Sequence, residues 1–344
     1  MKPAPASRRL RPMIRVAVDA MGSDRGPEEI VAGALAAASD TVQPILVGPS
    51  GLDTHGLSLL EAADVITMDE KPTEAIRAKP DSSLVVACRA VAEGKTDAVV
   101  SAGNTGAMLA ACLLELRRIP GVRRPAIAVT IPARRGPSVL LDSGANADAR
   151  PEDLLQFAHM GVVFAEEILD VRDPTVRLLS IGEEAEKGNQ LTLEAHELIQ
   201  ASDLNFAGNT EGRDLLVGAG DVIVTDGFTG NVALKLLEGT INNLLEAFRE
   251  EITASLRGKI GGLLIRPGAR RLQERLDPDT YGGAYLLGLR GLAVIAHGNS
   301  SRRAIANAVR LAARGVEHDV VGRLAQRIDA TVLASRPSTT PTPT

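Results

Sequence analysis

Polar, glycine-bearing strings recur along this chain wherever an apolar run stops, and the candidate chemistry sits in them. SAGNTGA carries Asn104, GEEAEKGN carries Lys187, GNTEG carries Asn209, TDGFTGNVALK carries Lys235 and HGNSS carries His297. Glycine lets neighbouring backbone N–H groups turn outward together, and at a helix N-terminus such groups favour an anion, phosphate above all. Asparagine amides, Lys187, Lys235 and His297 add donors and positive charge. This inventory can bind phosphate and stabilise an oxyanion, but it is poor in covalent nucleophiles. Any one of these loops, taken alone, reads first as a plain strand-to-helix turn with a solvated lysine. Their repetition points to a shared polar pocket.

Other chemistries lack their residues. There is no GxGxxG after the first strand, no GxxxxGK[ST] loop and no GxSxG elbow. The five histidines are scattered without metal-ligand spacing. Asp142, Asp221 and Asp226 would hold a cation only if folding brought them together. Cys88 and Cys112 lie inside apolar helical patterns and read as buried, reduced thiols. No metal and no cofactor are expected.

The elements that must position these loops alternate. Met13 to Val18 reads as a buried strand, followed by a helix that opens at Pro27 with Glu28 and Glu29 in its first turn. Strands are predicted at 44–48, 65–68, 97–100, 126–131, 139–141, 176–181, 204–207, 222–224 and 292–296. Helices are predicted after Ser82, over MLAACLLELRR, from Pro151 to Leu169, over LTLEAHELIQ, from Gly230 to about Arg257, and over 302–314 and 318–335. Alternation of this kind implies parallel strands with right-handed crossovers and helices on both faces. Ligands in such sheets sit beyond the carboxyl ends of the strands. Residues 1–12 and the Pro/Thr-rich 335–344 are expected to be disordered, leaving 13–334 as a single α/β domain.

Length and composition agree with that architecture. A chain of 344 residues with 44% hydrophobic and 24% charged content can bury a large core. Aromatic content of 2% argues against stacking platforms for single-stranded nucleic acid, and a net charge of −5 argues against general attraction to DNA or RNA. The basic start lacks the apolar run of a signal peptide, and no apolar stretch is long enough to span a bilayer, so a cytoplasmic protein is expected.

Together AVDAMGSDRGPEEIVAGAL, SAGNTGAMLAACLLELRRIPGVRRPA, LLDSGANAD, SIGEEAEKGN, FAGNTEGRDLL, DVIVTDGFTGNVALKLLEG, YGGAYLLGLRG and AHGNSS resemble the bacterial acyl-ACP:phosphate acyltransferase family of phospholipid synthesis. The resemblance runs in order from about Ile14 to the low 330s. It implies a layered α/β/α sandwich with a mostly parallel sheet, similar to the phosphotransacetylase and isopropylmalate dehydrogenase fold. It also implies a reaction in which fatty acyl-ACP and inorganic phosphate give acyl phosphate and ACP. A membrane glycerol-3-phosphate acyltransferase would consume the product, and a homodimer is implied.

For that reaction we expect Lys187 and Lys235 to hold phosphate together with loop amides of Gly103, Thr105 and Gly106 and of Gly227, Thr229, Gly230 and Asn231. Asn104 and Asn209 are candidate donors to phosphate or oxyanion, and His297 a candidate acid for the departing thiolate. His297 reads equally as a helix cap, and Asp19 or Asp226 as pins for loop backbone.

The stretch 255–275 mixes Leu256, Ile260, Leu263, Leu264 and Ile265 with Arg257, Lys259, Arg266, Arg270 and Arg271. Apolar residues flanked by basic ones suit the surface of an anionic bilayer, and suit dimer packing as well. Gly258, Gly261, Gly262 and Pro267 predict a hairpin or bent tip rather than one continuous helix. The resemblance implies that this tip attaches peripherally to the inner face of the plasma membrane. Acyl carrier protein is acidic, so it needs a basic docking face. Candidates are Arg117, Arg118, Arg123 and Arg124, the pair Arg134 and Arg135, or the arginines of the tip.

Overall fold

A computed structural model describes residues 13–334. The segments 1–12 and 335–344, expected to be disordered, lie outside the described residues. The first half runs β1 (Ile14–Asp19), α1 (Pro27–Ala37), β2 (Val42–Gly48), β3 (Ser58–Glu61), α2 (Pro72–Ala78), α3 (Ser83–Ala92), β4 (Ala98–Ser101) and α4 (Thr105–Glu115). Next come β5 (Ala126–Ile131), β6 (Ser138–Leu141), α5 (Pro151–Ile168), β7 (Val176–Ser180), α6 (Gln190–Gln200), β8 (Phe206–Glu211) and β9 (Val222–Val224). The chain closes with α7 (Gly227–Thr253), α8 (Leu256–Leu276), β10 (Ala284–Leu287), β11 (Leu292–Ile295), α9 (Arg302–Glu317) and α10 (Val320–Ala334).

The strands form one 11-stranded sheet in the order β3-β2-β1-β4-β11-β10-β5-β6-β9-β7-β8. It is mostly parallel, as the alternation predicts. Side chains alternate across it, as a strand requires. On β1, Val16 and Val18 join a core with α1, α5, α9 and α10, while Ala17 points to a second core with α3 and α4. Cys88 and Cys112 belong to that second core as free, buried thiols.

Strand direction in the sheet decides where the loops meet. From β3 to β11 all neighbours are parallel, and so are those from β6 to β8. Between the two sets, β11–β10, β10–β5 and β5–β6 are all antiparallel. Three reversals leave the two parallel sets running in opposite directions. Register then aligns their ends: Ser101 pairs with Ile295, Ile295 with Ala284, Ala284 with Val129 and Val129 with Leu140. Ser101 and Ile295 are the last residues of β4 and β11, and Leu140 is one short of the end of β6. The carboxyl ends of both sets therefore meet on one line across the middle of the sheet.

Several local expectations are corrected. The strand expected at 65–68 is instead β3 at Ser58–Glu61, with only an isolated bridge at Asp64 nearby. No strand was expected at β10, whose antiparallel pairing supplies two of the reversals. The predicted 204–207 strand continues to Glu211, so GNTE lies within β8 rather than in a loop after it. The helix expected to reach Arg257 stops at Thr253, and the stretch read as a hairpin or bent tip is the continuous helix α8, with Pro267 inside it. The bend falls at Ala254–Ser255, where Ser255 Oγ accepts from Gly258 N at 3.0 Å. A β-carbon on Gly258 would lie 2.2 Å from Ile252 O, and one on Gly262 2.8 Å from Ile252 Cγ2. These glycines let α8 fold back closely on α7; they do not break it.

Candidate active site

A cavity of about 450 Å³ lies where the strand ends meet. Loops reach it at 103–106 after β4, 143–144 after β6, 279–283 before β10 and 296–300 after β11, together with one face of α7. That face carries Asn231, Leu234, Lys235 and Glu238, spaced as one side of a helix must be. Among the expected site residues, Gly103, Thr105, Gly106, Asn231, Lys235 and His297 are brought together here.

The loop after β4 is held from behind. Ser101 Oγ donates to Asp19 Oδ2 at 2.7 Å and accepts from Gly103 N at 3.0 Å. Burial pushes the Asp19 carboxyl up, while hydrogen bonds from Ser83, Ser101 and backbone amides pull it back. A β-carbon on Gly22 would sit 2.8 Å from Gly103 Cα, so the DAMGSD loop backs this wall without lining the cavity. Asn104 caps α4: its Oδ1 accepts from Ala107 N at 3.1 Å and its Nδ2 donates to Met68 O at 3.0 Å. The Asn104 amide thus shapes the loop. Thr105 and Gly106, the first two residues of α4, have no intrahelical acceptor for their N–H groups, and both line the cavity.

The start of α7 is different. Thr229 N donates to Asp226 Oδ1 at 2.9 Å, Gly227 N to Asn146 O at 2.8 Å and Gly230 N to Asp226 O at 2.9 Å. With their amides paired, Gly227, Thr229 and Gly230 lie outside the lining, and of 227–231 only Asn231 reaches it. Asp142 organises the facing loop. Its Oδ1 accepts from Ile127 N at 2.9 Å, Gly144 N at 3.2 Å and Ala145 N at 3.0 Å, and its Oδ2 from Asn146 N at 2.7 Å and Nδ2 at 2.8 Å. Burial raises this carboxyl against those bonds. Asp221 Oδ2 accepts instead from Thr175 N at 2.8 Å, at the opposite end of β9, so Asp142, Asp221 and Asp226 do not converge on one point.

Sequence reasoning missed Glu238. Its Oε2 lies 3.0 Å from Lys235 Nζ and its Oε1 3.0 Å from His297 Nε2. Burial opposes its ionisation, but hydrogen bonds from His297 and Lys235 prevail and hold the carboxyl below its ordinary value. The signal available in sequence was only its place three residues after Lys235.

Lys187 and Asn209 stand elsewhere. Lys187 is exposed in the loop after β7, its side chain folded over Gly182. Asn209 is buried within β8, bonded to His196 Nδ1 at 2.9 Å and donating to Glu184 O at 2.8 Å. β7 and β8 are the outermost strands on their side, and neither residue lines the cavity.

On α8, Leu256, Ile260, Leu263, Leu264 and Ile265 are all exposed, Leu264 by 80%. At helical spacing Leu256, Ile260, Leu263 and Leu264 form a stripe, with Lys259, Arg266 and Arg270 along one side, Arg257 at the other edge and Arg271 continuing the line of the stripe beyond Leu264. Exposed Leu244 and Phe248 on α7 add to the apolar surface of this hairpin, whereas Leu276 at the end of α8 lines the cavity. Among the described residues, no helix is long and apolar enough to cross a membrane. The RRIPGVRR arginines follow the C-terminal end of α4, roughly 16 Å along that helix from Thr105. Of these, Arg123 is paired with Asp153 at 2.9 Å.

Residues 14–323 match the family model described as fatty acid synthesis protein. A phosphate acyltransferase from Heliobacterium modesticaldum is 45% identical over 331 residues, covering 93% of this chain and 99% of that relative. Another from Desulfitobacterium hafniense is 46% identical over 327 residues, covering 92% and 98%. A solved phosphotransacetylase from Staphylococcus aureus superimposes with a TM-score of 0.56 at 15% identity, covering 89% of this chain and 96% of that one. A branched-chain phosphotransacylase from Enterococcus faecalis gives 0.58 at 18%, covering 89% and 100%. At such identities these two structures speak for the fold alone.

Proposed function

The chain belongs to the fatty acid synthesis protein family, with phosphate acyltransferases among its relatives, and from that premise we propose that it moves a fatty acyl group from an acyl carrier protein thioester to inorganic phosphate. The products are acyl phosphate and the free carrier thiol, an early step of membrane phospholipid synthesis. The observation that carries the proposal is the mixed lining of the cavity. It combines the open amides of Thr105 and Gly106, Lys235 and His297 with the apolar side chains of Leu234, Leu237, Ile241 and Leu276. The polar groups suit phosphate and the apolar ones an acyl chain.

Phosphate is already an anionic nucleophile, so the site's task is to position it against the thioester carbon and offset charge. Lys235, Asn231 and the Thr105 and Gly106 amides hold phosphate, and donors to the developing oxyanion are each worth about 3 kcal/mol. A phosphate oxygen bonds to the acyl carbon, the carbon–sulfur bond breaks, and His297 delivers a proton to the sulfur. Lys187 and Asn209 take no part, Asn104 shapes the loop, and Gly227, Thr229 and Gly230 serve packing.

The protein acts without cofactor, as a homodimer lying peripherally on the inner face of the plasma membrane. The apolar stripe of α8 rests on anionic lipid, and its basic flanks also suit an acidic carrier protein. Acyl phosphate leaves beside the membrane glycerol-3-phosphate acyltransferase that consumes it. Purified protein incubated with palmitoyl-ACP and labelled phosphate, free of metal and nucleotide, is expected to yield labelled acyl phosphate and free thiol. No product from palmitoyl-ACP or palmitoyl-CoA would sink the proposal, and a strong preference for short acyl-CoA would replace it with a phosphotransacetylase-type activity.

A further inference from the structure

Of the cavity-lining ionisable groups with no task in the chemistry above, Glu238, Asp279 and Tyr281, Glu238 is bonded to two groups that have one. Its side chain is only 18% exposed, and it joins two elements, α7 and the loop after β11. One carboxylate oxygen meets Lys235 Nζ and the other His297 Nε2, each at 3.0 Å. A carboxylate engaged on both oxygens is badly placed to take a proton from substrate and well placed to fix its partners. A solvated surface pair would account for Lys235 alone. It does not account for an imidazole brought from 59 residues away onto the second oxygen.

We propose that Glu238 is a positioning residue: it keeps the His297 ring proton on Nε2, leaves Nδ1 to face the reacting thioester, and anchors Lys235 beside it. This rests on the reading of His297 as the proton carrier. As the phosphate oxygen–carbon bond forms, Nδ1 takes the proton of hydrogen phosphate; as the carbon–sulfur bond breaks, sulfur takes the bonding electron pair and that same proton from Nδ1. The ring returns to its Nε2–H form, and the proton of hydrogen phosphate ends on the carrier thiol. A carboxylate on Nε2–H favours the transient charged ring and fixes the neutral tautomer. The other ionisable groups on this side are Asp279 and Tyr281, before β10, and Asp24, beside Gly298. Asp279 Oδ2 accepts from Ser301 Oγ at 2.9 Å, which leaves Glu238 as the carboxylate bonded to the imidazole.

The test compares wild type, Glu238→Gln, Glu238→Ala, His297→Gln and the Glu238→Gln/His297→Gln pair, reading the pH profile of kcat and the ¹⁵N shifts of the His297 ring. Glu238→Gln keeps side-chain size, and Glu238→Ala removes the acceptor. Both should lose about tenfold to a hundredfold in kcat, up to the lower bound of the 10²–10⁴ that proton transfer contributes, because the imidazole itself stays. The acid limb should move to lower pH, the ring should lose its Nε2–H preference in Glu238→Ala, and Glu238→Gln should cost nothing further once His297 is gone. An unmoved limb with an unchanged tautomer, or losses that multiply in the double variant, would overturn the role. Turnover absent in wild type with the tautomer change intact would sink the acyl-transfer proposal and leave the pairing standing.

Discussion

Gly230 sits so close to Asp142 that a β-carbon on the glycine would lie 1.9 Å from the aspartate's carbonyl oxygen. This contact joins the start of α7 to the loop after β6, and so sets where Asn231, Lys235 and Glu238 enter the cavity. Gly230→Ala should therefore cost about 3 kcal/mol or more in urea unfolding, because the obstructing atom is backbone and cannot swing aside. Gly239→Ala, further along the same helix with nothing within 4 Å of its β-carbon, should instead stabilise by about 0.5–1 kcal/mol.

Lys235 and Lys187 should separate cleanly in phosphate kinetics. A hydrogen bond to a charged group is worth about 1.5–3 kcal/mol, so Lys235→Ala should raise KM for phosphate by roughly tenfold to a hundredfold. Lys187→Ala, outside the cavity lining, should leave it within about twofold. Equal losses in the two variants would mean that the outer strands reach the site.

His159 on α5 gives stability a pH dependence. Burial, aided by the nearby Arg327 charge, pushes the imidazole down to about 4, and its Nδ1 accepts from Arg327 Nε at 3.1 Å. The unfolded chain protonates near the ordinary 6.5, so it binds the proton first as pH falls. Stability is full above about pH 6.5 and declines down to about pH 4, where the loss levels off on the order of 3 kcal/mol. Urea midpoints measured between pH 7.5 and 4 should show a shallower slope for His159→Gln than for wild type.

Leu264, 80% exposed on the apolar stripe of α8, should matter to lipid and not to folding. Leu264→Asp should abolish flotation with vesicles containing anionic lipid while changing unfolding free energy by less than about 0.5 kcal/mol. Retained flotation in Leu264→Asp and in Leu263→Asp would assign the stripe to another surface, a second copy of the chain first of all.

Much of the local structure was readable residue by residue, because its causes are local. The Val222–Val224 run, the turn at Asp226 and Gly227 and the following helical pattern describe a strand, a capped turn and a helix, and Asp226 is the cap. The 101–107 string reads the same way, with Asn104 as its cap. What these residues could not say was which strand ends share a cavity. GEEAEKGN and SAGNTGA look equally suited to phosphate, yet one follows the outer strand β7 and the other a central strand. That difference comes from backbone pairing between distant segments, above all the antiparallel β10 and β5, which turn half the sheet around. Glu238 was hidden for the same reason. In sequence it is one more charged helix residue, and only the tertiary fold brings His297 to its second oxygen. The glycines of α8 misled because their role is close approach to Ile252, a contact between two helices that no single-segment propensity contains.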